Sequence, residues 1–189
     1  GSIGLITYLR TDSTRVSETA EAQVKEFIQE NYGPDYMAKE IATKKSNKKI
    51  QDAHEAIRPT DVTLTPDQVK AQLPRDQFRL YQLIWKRFVA SRMGNAVYET
   101  YNVKVGAGDY LFNASTSKLD FDGFMKIYTD SDNEKVVTNN VIAKLEKDSE
   151  IEFVKFEENQ HFTQPPAHFT EAALVKAMEE QGIGRPSTY

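Results

Sequence analysis

The hydrophobic pattern of the chain changes near residue 95, and this change limits the folds that are possible. In the first half, apolar residues recur every three to four positions, as in Val24, Phe27 and Ile28, which is typical of amphipathic helices. Over residues 97–105, apolar and polar residues alternate, which is typical of a half-buried strand. The sequence therefore predicts an α+β protein in which helices precede antiparallel strands.

Capping and turn residues set the expected element boundaries. Helices are predicted over residues 17–32, before a Gly-Pro stop, and over residues 76–94, with Trp85 in the core. Between them, the Thr-Pro-Asp-Gln sequence of residues 65–68 has the form of a capping box that opens a short helix ending at Pro74. In the second half we expect a hairpin turn at residues 106–109 between strands 97–105 and 110–116, and further strands at 136–141 and 151–156.

Past residue 162 the pattern changes again. Pro165 and Pro166 predict a stiff extended link, Thr170 is a suitable N-cap for a helix running to Gln181, and Gly182 would end that helix. The predicted domains are a helical domain at 1–95, an antiparallel β domain at 96–163, and a linker with the first helix of a further domain at 164–189.

A tyrosine and an arginine stand two positions apart at the end of an apolar segment near the start of the chain. Side chains at positions i and i+2 of a strand share a face, so Tyr8 and Arg10 can reach one ligand together. The tyrosine hydroxyl is a possible nucleophile towards phosphorus, and a planar guanidinium can hold phosphate oxygens while charge builds on them. A buried tyrosine beside an ordinary ion pair would produce the same local pattern.

Four motifs resemble those of one enzyme family and occur in that family's order. Residues 5–13, LITYLRTDS, are similar to the LITYMRTDS active-site signature of type IA DNA topoisomerases. Residues 51–60 resemble QEAHEAIRPS, and residues 164–172 resemble QPPARFTEA and run on into GIGRPSTY at 182–189. Together they are far more specific than one short pattern, and the chain resembles an internal fragment of bacterial topoisomerase I that carries the active-site tyrosine.

The resemblance implies a reaction. The hydroxyl of Tyr8 would attack one DNA strand to give a 5′-phosphotyrosine, another strand would pass, and resealing would relax negative supercoils without ATP. Arg10 and His54 would be catalytic, although a lone histidine such as His54, expected in a short helical stretch, is more often structural. The DNA contacts implied by the same motifs are Thr7, Ser13, Arg58, Arg185, Ser187 and Thr188.

The resemblance also implies how the domains act. A helical gate domain bearing the tyrosine would be inserted in an arching β domain, of which this chain holds an incomplete part, and residues 164–189 would begin a DNA-groove domain. Two positions depart from the family pattern: His168 stands where an arginine is usual, and Leu9 replaces a methionine. The histidine puts a backbone contact from that position in doubt.

The expected partners are single-stranded or negatively supercoiled DNA and the remaining domains of the same enzyme. Residues 1–95 carry 15 Lys and Arg against 12 Asp and Glu, whereas residues 96–189 carry 9 against 16, so phosphate binding is expected in the first half. One cationic patch there would either contact the DNA backbone or form a solvated loop. It consists of Lys39, Lys44, Lys45, Lys48 and Lys49.

No metal site is predicted in this chain, because the family's Mg²⁺ is held by acidic residues of a Toprim domain that we expect to lie outside it. The fragment alone should therefore bind single-stranded DNA weakly and cleave nothing. Acidic residues between 120 and 134 lack the full pattern of a calcium loop. Because no apolar run approaches the ~18 residues of a membrane span, a cytoplasmic, nucleoid-associated location is expected.

Two alternatives belong to other classes. A noncatalytic single-stranded nucleic-acid-binding module would keep the fold without the chemistry, but retention of Tyr8, Arg10 and His54 together argues against it. A tyrosine recombinase or a relaxase would need an arginine and histidine constellation or a metal-binding histidine cluster, and the sequence contains neither.

Overall fold

The computed structural model describes residues 4–11, 13–39, 54–129 and 138–184. These residues form an α+β structure with helices α1 (Glu18–Tyr32), α2 (Pro66–Val69), α3 (Arg75–Ala90) and α4 (Glu171–Glu180) and strands β1 (Val97–Ala107) and β2 (Tyr110–Phe121). The predicted class is confirmed. The chain divides into two compact units, residues 1–145 and 146–189. Among the described helices, none has the length and apolarity needed to cross a membrane.

The helices begin and end close to the predicted residues. The Ser17 hydroxyl accepts a hydrogen bond from the Ala20 N–H at the start of α1, and Gly33, with φ of 94°, ends it. The Gln68 side chain accepts from the Thr65 N–H (2.8 Å), as the capping box requires. Helix α4 likewise begins after Thr170, whose hydroxyl accepts from the Ala173 N–H.

The core of the first unit lies between α1, α3 and the segment that leads into α2. Trp85 is 4% exposed, meets the Phe27 ring edge-on at 5.6 Å and donates from Nε1 to the Val62 carbonyl (2.9 Å). Its predicted place in the core is confirmed. Tyr81 donates its hydroxyl to the Leu64 carbonyl, and burial raises the pKa of Tyr81 to about 12.

Strands β1 and β2 form the predicted antiparallel hairpin around the two-residue turn at Gly108, which has φ of 59°. The end of β2 packs on the helices. The Phe121 ring lies 4.8 Å from that of Tyr36, whose hydroxyl donates to Asp122 (2.7 Å), and the Phe124 N–H donates to the Gly94 carbonyl (2.9 Å). The predicted boundary at 95/96 therefore falls inside one compact unit, and the division into three domains stays a prediction.

Within the residues that the structure describes, the two further strands predicted in the second half are not formed. The described part of the first, residues 138–141, is bonded to β2 through side chains, by the Thr138 hydroxyl to the Ser117 carbonyl and by the Asn139 N–H to the Thr116 hydroxyl. It leads into a short 3₁₀ turn, Ile142–Lys144. Residues 151–156 have no regular secondary structure and do not pair with any strand that the structure describes. Alternation is compatible with a strand, but a strand also needs a neighbouring backbone to bond.

Candidate active site

Two segments that are distant in sequence lie side by side in the first unit. The tyrosine segment, residues 4–10, pairs in antiparallel fashion with the histidine segment, residues 54–60, around an isolated bridge between Ile6 and Pro59. Backbone hydrogen bonds run from the Thr60 N–H to the Leu5 carbonyl (3.0 Å) and from the Thr7 N–H to the Arg58 carbonyl (2.9 Å). Side-chain hydrogen bonds run from the Thr60 hydroxyl to the Gly4 carbonyl (2.7 Å), from the Thr7 hydroxyl to the Ala56 carbonyl (2.9 Å) and from the Arg58 N–H to the Thr7 hydroxyl (3.0 Å).

This pairing corrects the helical stretch that was expected around His54. Backbone groups of Ala56, Arg58 and Thr60 bond to other segments instead of to their own preceding turn, so residues 54–60 form no helix. His54 is half-buried at the start of this segment. The structure thus brings together two of the four motifs, which the sequence could only place in order.

Thr7 holds the two segments together through its side chain. Its hydroxyl donates to one backbone carbonyl of the histidine segment and accepts from one backbone N–H, and among small side chains only serine and threonine can do both. The hydroxyl is thus bonded within the protein, and the DNA contact predicted for Thr7 stays a prediction.

The residues that follow Thr7 are open to solvent. Tyr8 is 80% exposed, and Leu9 and Arg10 are also exposed. The exposure rules out the buried tyrosine that the sequence had left as an alternative. Tyr8 is thus an exposed phenol directly after Thr7, whose N–H and hydroxyl are both hydrogen-bonded to the histidine segment.

Arg58 is turned into the protein and paired with Glu55. Its Nη2 lies 2.9 Å from Glu55 Oε2, its Nη1 donates to the Pro59 carbonyl (3.0 Å), and the side chain is 13% exposed. Burial by itself raises the pKa of Glu55, but the hydrogen bond and charge of Arg58, with hydrogen bonds to Ser17, outweigh it and lower the pKa of Glu55 below its ordinary value. A contact of Arg58 with DNA stays a prediction.

Ser13 lies on the opposite flank of the histidine segment. It is buried, and its hydroxyl accepts from the Arg15 N–H (3.2 Å), while the Arg15 carbonyl accepts from the Ala56 N–H (2.7 Å). Ala56 is therefore bonded on both sides, to Thr7 and to Arg15. Ser13 shapes this turn, and the structure does not test its predicted contact with DNA.

A family model described as DNA topoisomerase matches residues 2–189. The chain belongs to the DNA topoisomerase family. It is also similar to full-length topoisomerase I from Thermotoga maritima, with 37% identity and a TM-score of 0.70. That match covers 99% of this chain and 29% of the Thermotoga maritima enzyme, so the chain spans less than a third of its relative. The resemblance to bacterial topoisomerase I that the motifs indicated is confirmed.

Other predicted contacts of this topoisomerase chain with DNA lie outside the described residues. These are Arg185, Ser187 and Thr188 of the last motif. The cationic patch, for which the sequence left open a DNA contact or a solvated loop, also lies outside the described residues except for Lys39. In the second unit, the described residues include His168, which is exposed in the segment before α4.

Glu55 is a site residue that the sequence reasoning missed. The one local signal was the three-residue spacing of Glu55 and Arg58, which can bring opposite charges together. Within the described ranges, no group of three or more His, Asp or Glu side chains is placed to hold a metal ion, and the family's Mg²⁺ stays a prediction.

Proposed function

We propose that this chain is the tyrosine-bearing part of a type IA DNA topoisomerase, an isomerase that cuts one DNA strand, passes another and reseals the first. The observation that carries the proposal is the position of Tyr8. The phenol is 80% exposed, and its neighbour Thr7 is bonded to the histidine segment through both backbone and side chain. An accessible nucleophile on a fixed backbone suits in-line attack on a bulky polymer.

In the proposed reaction the oxygen of Tyr8 bonds to phosphorus as its proton leaves, and the bond from phosphorus to the 3′-oxygen of the preceding nucleotide breaks. The leaving oxygen takes up a proton and becomes a free 3′-hydroxyl. Arg10 would hold the non-bridging oxygens as charge builds on them, and His54 would contact the phosphate region or assist proton movement. Since the phosphotyrosine ester keeps the energy of the original linkage, the reverse attack reseals the strand without ATP.

The helical part would act as a gate that carries the cut end away on the arching β domain. Mg²⁺ would be held by acidic residues of a Toprim domain and would help to place the DNA phosphates. The described residues offer no group that fits this ion, and the roles proposed for Tyr8, Arg10 and His54 do not depend on it. A nucleoid-associated place in the cytoplasm is proposed from the DNA substrate alone.

The test is to trap the covalent adduct. The enzyme that contains this segment together with its Toprim domain is mixed with Mg²⁺ and a 3′-labelled single-stranded oligonucleotide, and then quenched with detergent. A 5′-phosphotyrosine transfers the 3′ label to protein, whereas a 5′-labelled strand is released with a free 3′-hydroxyl. We expect Tyr8→Phe to abolish the labelled adduct and to leave binding of the oligonucleotide within twofold of the wild type.

Tyr110→Phe is the matched control, because Tyr110 is also a highly exposed tyrosine (73%) but lies in the hairpin turn region. Tyr110→Phe should form as much labelled adduct as the wild type. An adduct that persists in Tyr8→Phe, or a nucleotide remnant that mass spectrometry finds on another amino acid, refutes the mechanism. Tight DNA binding without any adduct in the wild type would favour the noncatalytic binding module instead.

The chain alone is expected to bind single-stranded DNA weakly and to leave supercoiled plasmid unchanged. Relaxation of plasmid by the isolated chain would contradict the proposed division of labour with a Toprim domain.

A further inference from the structure

A groove runs along the outer face of α3, on the side of the helix that faces away from the core. One wall is α3 itself, and the other is formed by residues 127–129, which follow the end of the hairpin. The groove has a volume of about 620 Å³, which lies within the range typical of ligand sites. None of its lining residues belongs to the tyrosine segment or the histidine segment.

The second wall of the groove is fixed by hydrogen bonds and packing. The Phe124 N–H donates to the Gly94 carbonyl (2.9 Å). The N–H groups of Ile127 and Tyr128 both donate to the Phe124 carbonyl (3.1 Å each), and Ile127 packs against the core cluster. The guanidinium of Arg87 lies over the Tyr128 ring, 5.4 Å from its centroid, which is a favourable cation–π distance. The groove is therefore formed by the fold itself.

Positive charge lines the first wall in a single row. Arg75, Arg79, Gln82 and Lys86 are spaced by three or four residues, so they lie one above another on the surface of α3. At 1.5 Å per residue, the row is about 16 Å long. Within the part of the chain that the structure describes, none of its three cations is paired with a carboxylate. The row therefore suits an extended polyanion.

Apolar side chains lie beside this row. Leu80 and Leu83 are 46% and 45% exposed, and both line the groove together with Ile127 and Tyr128. A cationic row by itself attracts any phosphate backbone, of one strand or of two. The bases of a single strand, unlike those of a duplex, can be reached by apolar and aromatic side chains. Cations beside apolar groups therefore favour a single strand as the occupant.

We propose that this α3 groove is a second binding site for single-stranded DNA, in which Arg79 and Lys86 hold phosphates and Leu83 contacts bases. The site supplies affinity and no chemistry, because it would hold a part of the strand that is not being cut. The inference rests on the proposed function only in that the whole enzyme acts on single-stranded DNA. Helix α3 carries four Lys and Arg against one Asp, and the family acts on DNA, so a nucleic acid is favoured over an acidic protein segment.

The experiment uses the whole enzyme and a long 3′-labelled single-stranded oligonucleotide. The dissociation constant is measured without Mg²⁺ at several salt concentrations, and the rate of adduct formation is measured with Mg²⁺ at saturating DNA. For the double variant Arg79→Ala/Lys86→Ala we expect a dissociation constant about 5- to 30-fold higher, since two charged phosphate contacts are lost. The slope of the logarithm of affinity against the logarithm of salt concentration should shrink by about 1.4.

The adduct rate of the double variant at saturating DNA should stay within twofold of the wild type, because neither side chain belongs to the tyrosine or histidine segment. The matched control is Lys104→Ala/Lys118→Ala, which removes the same charge from exposed positions on the hairpin. Its dissociation constant should stay within twofold of the wild type. Leu83→Ala should raise the dissociation constant for the single strand about 2- to 5-fold, without changing the salt slope or the binding of a duplex of equal length.

The proposal is overturned if the double variant binds within twofold of the wild type with an unchanged salt slope, a result that would favour an acidic protein segment as the occupant. An equal loss of affinity in the Lys104→Ala/Lys118→Ala control also overturns it. If Leu83→Ala affects single strand and duplex alike, the assignment to a single strand is wrong. A wild type that forms no adduct on Tyr8 would refute the proposed function instead, while the ratio of dissociation constants would still report on the groove.

Discussion

Gly123 stands at the junction where the hairpin returns to the helices, and replacing it with alanine should weaken that junction. Its φ of 49° is in the left-handed region, and a Cβ built on it would lie 2.5 Å from the backbone carbonyl oxygens of both Gly94 and Asn95. Backbone atoms cannot rotate away as a flexible side chain can. Relief would require breaking the adjacent bond from the Phe124 N–H to the Gly94 carbonyl.

Two terms set the expected magnitude for Gly123→Ala. A left-handed conformation costs a residue with a Cβ about 1–2 kcal/mol, and forcing an extra methyl group into occupied space costs about 1–3 kcal/mol. The sum is a loss of about 2–5 kcal/mol in the free energy of unfolding. That is a large part of the ~5–15 kcal/mol by which a typical protein is stable.

The chain contains two glycines that separate these terms. Gly108 also has a positive φ, 59°, but open space around its Cβ position, so Gly108→Ala should cost only about 1–2 kcal/mol. Gly106 lies in β1 with open space and no positive φ, so Gly106→Ala should be neutral or stabilising by up to ~1 kcal/mol.

The assay is urea unfolding followed by the fluorescence of Trp85, the single tryptophan of the chain and a core residue, with circular dichroism as a second probe. We expect the free energies of unfolding to rank Gly106→Ala above Gly108→Ala, with Gly123→Ala lowest. If the free energy of unfolding of Gly123→Ala equals that of Gly108→Ala by both probes, the added methyl group meets no costly clash with the Gly94 and Asn95 carbonyls, and the reasoning is refuted.

Three further predictions concern the site and the core. Thr7→Val should lower the free energy of unfolding by about 1–3 kcal/mol, because two backbone groups lose their partner, while Thr7→Ser should recover most of it in the same urea titration. Burial, with the charge of Asp61, raises the pKa of Tyr81 from 10.0 to about 12; the protonated phenol therefore stabilises the fold fully below pH 10 and this contribution is lost as the pH rises to about 12. In Tyr81→Phe the free energy of unfolding should fall less between pH 10 and 12 than in the wild type, and an unchanged pH profile would contradict this prediction. Since the pKa of Glu55 is lowered from 4.5, its ionised carboxylate contributes stability above pH 4.5, and this contribution disappears as the pH falls further. In urea titrations at successively lower pH, the free energy of unfolding of Glu55→Gln should therefore fall less steeply than that of the wild type.

Local elements could be predicted from the sequence because their signals lie within a few neighbouring residues. Ser17 caps α1 with its own hydroxyl, Gly33 ends the helix by adopting a positive φ, and Gly108 forms the hairpin turn. Each needs no distant partner. The same holds for Tyr8 and Arg10, which were recognisable as a pair from the motif that contains them.

The arrangement of the site depended on contacts between residues far apart in the chain. The hydroxyl of Thr7 donates to the Ala56 carbonyl, and the Ala56 N–H donates to the Arg15 carbonyl. No local pattern specifies either partner. The strand predicted at 151–156 failed for the same reason, since alternation describes one face of a strand but supplies no neighbouring backbone. Propensity and capping act over one turn of helix, whereas hydrogen-bonded pairing is decided only when the whole chain has packed.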